Sequence, residues 1–292
     1  MMKNISLGRY LPYNTIIHRL DPRVKLFGLI SFMVLVFFSL GDTWANFAFY
    51  GILVVLVLIA LKLAKVKLKS LFRQLKPLWF MVVFLLIINI VSYRSLDTTV
   101  LFSIFNYPIY AAAVYQTFYI FIRLILMISL TMVLTSSTKP LDLTFALEWT
   151  MTPLKIIQFP VHEVAMTMSL ALRFIPTLLD ETGRIMKAQE SRGVDFSGGK
   201  LSEKIRGIVS LIVPLFNSAF MRSDELANAM EARGYNPQGK RTKYRMLTFA
   251  KRDLFAFIVF AMMLTGGILL LVYKAPVIDV FYQLIDLIRG LF

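Results

Sequence analysis

The chemistry this chain carries is concentrated in one short pattern that occurs twice. The first copy reads Ala188-Gln189-Glu190-Ser191-Arg192-Gly193-Val194-Asp195 and the second Ala229-Met230-Glu231-Ala232-Arg233-Gly234-Tyr235-Asn236, with the two arginines 41 positions apart. A guanidinium stays charged and presents five donors in a rigid fork, which suits it to gripping carboxylates or clustered carbonyls on another surface. Each copy closes a long stretch of helical periodicity. Gly193 and Gly234 stand where a helix C-terminus takes a residue that tolerates positive φ. A cation in a last helical turn also stabilises the helix by ~0.3–1 kcal/mol. Capping therefore explains an Arg-Gly ending, but it leaves the repeated Glu190 and Glu231, each two residues before its arginine, without a reason. The duplication favours a shared function for both copies.

Other candidate groups lead to less. The acid pairs Asp180-Glu181 and Asp224-Glu225 have the residue type for general acid–base work, but on a charged helical face they read as solvated. Gly193 to Lys200 superficially resembles a phosphate-binding loop. Gly199 occupies the position where lysine is required, Leu201 follows Lys200, and no strand precedes the segment, so ATP is not expected to bind here. There is no cysteine, and the only two histidines, His18 and His162, are far apart, which excludes thiolate chemistry and argues against a histidine-rich metal site. Met151, Met166 and Met168 suit packing, or a surface that adapts to varied partners.

The elements that hold these residues follow from composition. Of 292 residues, 58% are hydrophobic, too many for a soluble domain of this size, so the chain reads as an all-α integral membrane protein. Five apolar runs are expected to span the bilayer, at 26–40, 44–61, 78–93, 107–134 and 254–273. The first two form a hairpin through Gly41-Asp42-Thr43, and a cleaved signal peptide is rejected because the second run follows at once. Arg123 is the one charge inside the fourth run, either a functional group or a cation that snorkels or bonds a neighbouring carbonyl.

The net charge of +15 has a positional explanation. Segments 1–25, 62–76 and 139–252 hold 5, 6 and 17 of the 32 lysines and arginines. Placing all three in the cytoplasm lets the five spans alternate, with the N-terminus inside and the C-terminus outside, and removes any need for nucleic acid. The expected organisation is a membrane domain with four spans over 1–135, a cytoplasmic or interfacial domain over 136–253, and a last span with an outer tail over 254–292. Within the middle part, a short helix is expected from about Leu141 to Lys155. Two long helices follow, Val161 to Arg192 and Leu201 to Arg233, bent by Pro176 and Pro214. Gly207 to Met221 is uncharged enough to suggest a span. Its flanking charges, and the opposite membrane faces that spanning would give the two arginines, favour an interfacial position.

These features together resemble the transmembrane coupling subunit (T component, EcfT/CbiQ-like) of energy-coupling factor transporters, a group of ATP-driven micronutrient importers. The resemblance rests on Pro12-Tyr13-Asn14, on His18-Arg19-Leu20-Asp21-Pro22-Arg23-x-Lys25, on Leu172-Arg173-Phe174-Ile175-Pro176 and, most specifically, on the paired Arg-Gly motifs. It implies that Arg192 and Arg233 end coupling helices and dock into grooves on two ABC-type ATPase subunits. Around them it implies partner-binding roles for Glu190, Ser191, Gly193, Glu231, Ala232 and Gly234. Ser191 stands where alanine is more usual. The resemblance also implies a separate substrate-binding S component, contacted through 161–176 and 201–214. It implies no catalytic residue, metal or cofactor in this chain, since ATP and Mg²⁺ belong to the partners, and a multi-pass position in the cell membrane. The alternatives from the residues are a membrane-embedded enzyme using Asp180, Glu181 or Glu231, and the permease of another ATP-binding-cassette importer.

Overall fold

In the computed structural model, residues 10–39, 43–92, 100–104, 107–196, 198, 201–236 and 248–273 are described. They form ten α-helices and one two-stranded hairpin: α1 (Ile16–Arg19), α2 (Pro22–Val36), α3 (Thr43–Leu63), α4 (Leu68–Leu75), α5 (Leu78–Ser92), β1 (Val100–Ile104), β2 (Tyr107–Tyr110), α6 (Ala111–Ser137), α7 (Pro140–Met151), α8 (Val161–Ser191), α9 (Leu201–Ala232) and α10 (Lys251–Val272). The architecture is that of an all-α membrane protein. Gly41 and Asp42 of the expected 41–43 turn, residues 94–99 and 105–106 of the expected 94–106 loop, and the tail from Ala275 lie outside the described residues.

Two units separate, one comprising 8–139 with 248–292 and the other 1–7 with 140–247. In the first, α2 and α10 run parallel. Asp21 N–H donates to Asp253 Oδ1 at 2.9 Å, Phe27 stacks on Phe257 with centroids 4.5 Å apart, Phe260 covers Gly28, and Leu35 covers Gly267. The absent side chains of Gly28 and Gly267 permit this approach, since a Cβ at either site would collide with the opposing side chain. α3 and α6 are likewise parallel, with Phe47 against Tyr115 and Tyr50 against Tyr119.

Polar groups tie the starts of these helices together. Asp21 caps α2 by accepting from Arg23 N–H at 2.9 Å, and Pro22 takes the first helical position, where no amide hydrogen is needed. Asp253, only 2% exposed, also accepts from Ala250 N–H at 2.8 Å. Buried Lys25 donates to the carbonyls of Ser137 at 2.9 Å and His18 at 3.3 Å, while Leu11 N–H reaches Ser136 O at 3.0 Å. The open C-terminus of α6 is thus closed by the N-terminal segment. This gives Asp21, Pro22 and Lys25 structural roles.

Arg123 bonds two tyrosine hydroxyls, and it is the tyrosines that reach carbonyls. Its Nη2 donates to the hydroxyls of Tyr119 at 3.0 Å and Tyr50 at 3.3 Å. Tyr119 donates to Phe38 O at 3.1 Å, and Tyr50 to Val36 O. The guanidinium also lies over the rings of Tyr119 and Phe37, at 4.6 and 5.2 Å. These contacts close the C-terminus of α2, which at 15 residues is shorter than the ~20 of an untilted span.

By length and apolarity, α3, α6, α9 and α10 qualify as spans, and α4 with α5 qualifies as a pair bent by 51°. This set differs from the expected five in two members: α2 falls short, and α9 is included. The fourth run also begins differently, since 107–110 is strand and the helix starts only at Ala111.

In the second unit, α7 ends at Met151 and a 3-10 turn, Thr152–Ile157, replaces the expected last helical turn where Pro153 interrupts it. α8 and α9 then run through Pro176 and Pro214 without interruption.

Candidate partner-docking site

Both copies of the repeated pattern end in the same backbone geometry. Gly193 has φ +86° and Gly234 φ +71°. Gly193 N–H donates to Glu190 O at 3.0 Å and Val194 N–H to Gln189 O at 3.0 Å. At the second site, Gly234 N–H reaches Glu231 O at 2.8 Å and Tyr235 N–H reaches Met230 O at 3.0 Å. These are paired Schellman closures, in which a left-handed residue lets the chain satisfy the last free carbonyls of the helix. They explain the glycine and the apolar residue after it. Val194 packs toward Gly207 of α9, where an added Cβ would lie 3.3 Å from its methyl group.

The closures leave the charged residues unused. Ser191, Arg192, Ala232 and Arg233 are exposed, as are Glu190 and Glu231. No carboxylate among the described residues pairs with Arg192 or Arg233. Each arginine is the cap residue itself, immediately before the chain turns away.

The packing of α8 on α9 sets the spacing of the two ends. Gln189 Nε2 donates to Ser210 O at 3.3 Å, and Arg222 pairs with Glu181. Going from the first contact to the second, α8 is followed backward and α9 forward, so the helices are antiparallel. Arg192 lies just beyond Gln189, whereas Arg233 lies 23 residues beyond Ser210. At 1.5 Å per residue, the 23 residues beyond Ser210 and the three beyond Gln189 put the arginines on the order of 40 Å apart along the pair. Sequence spacing alone does not give this separation.

The remaining candidates take ordinary places. Glu181 is held by Arg222, and Asp180 and Asp224 are exposed. Glu148 faces His162 at 3.6 Å, and Thr144 meets Ser169 at 3.4 Å, which binds α7 to the first half of α8. Part of 161–176 is thus covered within the chain, where Val161 and Ala165 are buried. By contrast Ile205, Ile208, Val209, Ile212 and Val213 on α9 are exposed. No cluster of metal-ligating side chains occurs among the described residues.

Residues 13–244 match the family model described as CbiQ, cobalt transport protein. Relatives named energy-coupling factor transporter transmembrane protein EcfT are similar over most of the chain. That of Macrococcus caseolyticus is 42% identical over 87% of this chain and 93% of its own length. That of Bacillus subtilis is 40% identical over the same shares, and that of Staphylococcus aureus is 40% identical over 94% and 98%. The chain belongs to the energy-coupling factor transmembrane protein family. Membership in the EcfT family agrees with the all-α membrane architecture and makes this chain similar throughout to transporter subunits, including the region of both Arg-Gly ends.

Proposed function

We propose that this protein is the non-catalytic coupling subunit of an ATP-driven energy-coupling factor importer for vitamins or other micronutrients. Arg192 and Arg233 dock on two ABC-type ATPase subunits, and α8 and α9 carry their motion to a substrate-binding membrane subunit. The observation that carries this reading is the pair of exposed arginines on helix ends of the same backbone geometry, on the order of 40 Å apart. A single partner meeting one loop does not need two such ends; two partners do. ATP and Mg²⁺ belong to those partners, and substrate choice belongs to the membrane subunit.

The exposed apolar residues of α9 at 205–213 are the contact offered to that subunit. The parallel direction of α2 and α10 supports the proposed topology. It requires an odd number of crossings between them, which α3, α5 and α6 supply and a lone crossing by α9 would spoil. With the basic segments inside, the N-terminus and the helical arms are cytoplasmic.

The test is copurification. Wild-type protein coexpressed with the two ATPases is expected to retain both, and the chain alone to hydrolyse nothing. Arg192→Ala with Arg233→Ala is expected to insert in the membrane normally and retain neither ATPase. Full retention by the double variant would refute the docking role, and catalysis by the isolated chain would favour the enzyme alternative.

A further inference from the structure

The connection between α3 and α5 carries a surface that the coupling role does not use. At about 100° per residue, α4 has three sectors. Leu71 belongs to the buried core and Leu75 packs at its edge, which fixes the rotation of the helix. In the next sector Leu68 and Phe72 are 55% and 67% exposed. Beside them, Lys69, Arg73 and the cap residue Lys76 form an exposed basic stripe. Lys62 and Lys67 add exposed charge nearby, while Lys65 lies over the ring of Tyr13 at 5.7 Å. No aspartate or glutamate occurs from 43 to 96, and no ion pair among the described residues engages these cations. The 51° bend between α4 and α5 turns α4 away from the direction of the span that follows.

We propose that α4 lies in the headgroup layer and binds anionic phospholipid. Leu68 and Phe72 enter the acyl boundary, and Lys69, Arg73 and Lys76 meet lipid phosphates. Continuity with the membrane identifies the occupant: the segment leaves α3 at Leu63 and enters α5 at Leu78, so a short connection between two spans must lie at the bilayer surface. An exposed apolar pair next to an uncompensated basic stripe is the arrangement by which a helix seats itself in an anionic interface. The inference rests on the local geometry of α4 and holds whichever leaflet the segment faces.

The test uses the full chain in its complex, in nanodiscs of phosphatidylcholine alone or mixed with phosphatidylglycerol. The natural absence of cysteine lets Phe72→Cys carry a single nitroxide. With the native stripe, the label is expected to be more accessible to oxygen than to an aqueous nickel chelate, and to move deeper when phosphatidylglycerol is present. Native mass spectrometry is expected to find phosphatidylglycerol retained over phosphatidylcholine. That preference should fall tenfold or more in Lys69→Gln, Arg73→Gln, Lys76→Gln. A label readily reached by the nickel chelate in both nanodiscs would overturn the proposal. So would an unchanged lipid preference in the triple variant, including the case where that variant instead loses its ATPases, because the stripe would then be a protein-docking surface. The nitroxide comparison needs no change to the stripe and stands if the triple variant fails to fold.

Discussion

The two units of this protein place their polar residues in opposite ways. In the membrane unit, Asp21, Lys25 and Asp253 are buried, and their hydrogen bonds join segments up to 232 residues apart in sequence. In the helical-arm unit, the charged residues of interest stand exposed at helix ends, and Gly207 is the only buried position described in α9. Burial makes a polar group costly to lose within the chain. Exposure makes it available to something outside. The difference predicts that mutations in the first unit act on stability, and that mutations at the helix ends of the second act on assembly.

The strongest test of that contrast is Asp253→Ala. It strands the amides of Asp21 and Ala250, at about 1–3 kcal/mol for each unsatisfied buried donor. Thermal unfolding in detergent should shift markedly downward; an unchanged midpoint would remove the basis for the comparison. Next in size is Gly193→Ala or Gly234→Ala. Space is available for the methyl group at both sites, so the cost is conformational, about 1–2 kcal/mol for holding an L-residue at left-handed φ. Hydrogen exchange should show fraying of the last turn alone, with the membrane unit unaffected.

A smaller effect is expected for Glu181→Ala. This ion pair is partly exposed and contributes about 0–1 kcal/mol, so the variant should loosen α8 against α9 without unfolding either helix. Hydrogen exchange across the arms should also distinguish their two apolar stretches. The part of 161–176 covered by α7 should be protected in the chain alone, whereas 205–213 should gain protection only when the membrane partner is present. Smallest is a pH effect at His18. Burial, with the charge of Lys25 acting in the same sense, holds its imidazole below the ordinary value of 6.5. A lowered folded value favours the neutral ring. The associated stability is present above that ordinary value and is lost as pH falls through the lowered one. His18→Gln should flatten this dependence in a melting series.

The sequence made the helix ends legible because glycine at positive φ and proline at the first helical position are local requirements. Gly193 and Gly234 therefore mark real boundaries. The pairing of α2 with α10 is not local, and nothing in either helix announces a partner more than two hundred residues away. Arg123 was ambiguous for a related reason, because Tyr50 and Tyr119 look like ordinary members of apolar runs until the fold brings their hydroxyls to the end of α2. α4 does not stand out within the basic segment 62–76 because its eight residues make only about two helical turns. The β1–β2 hairpin does not stand out in the sequence because Tyr107-Pro108-Ile109-Tyr110 continues the apolar run into α6. The candidate site was legible as two Arg-Gly ends, whereas the antiparallel packing that separates them required Gln189, Ser210, Glu181 and Arg222 to be placed in space.

The central claim is that the exposed arginines bind partners and do not merely finish helices. Its most direct measurement is the affinity of the ATPase pair for nanodisc-held protein, compared among wild type, Arg192→Ala, Arg233→Ala, the double variant and the two lysine variants. Losing one side of a buried charged contact costs about 2–5 kcal/mol, or roughly 30- to several-thousand-fold in affinity. Each single alanine variant should show a loss of that order and the double variant no measurable binding. Lysine should restore only part of the affinity, because it keeps the charge and loses the fork. Affinity within a few-fold of wild type in the double variant would contradict the account and reduce both motifs to helix caps.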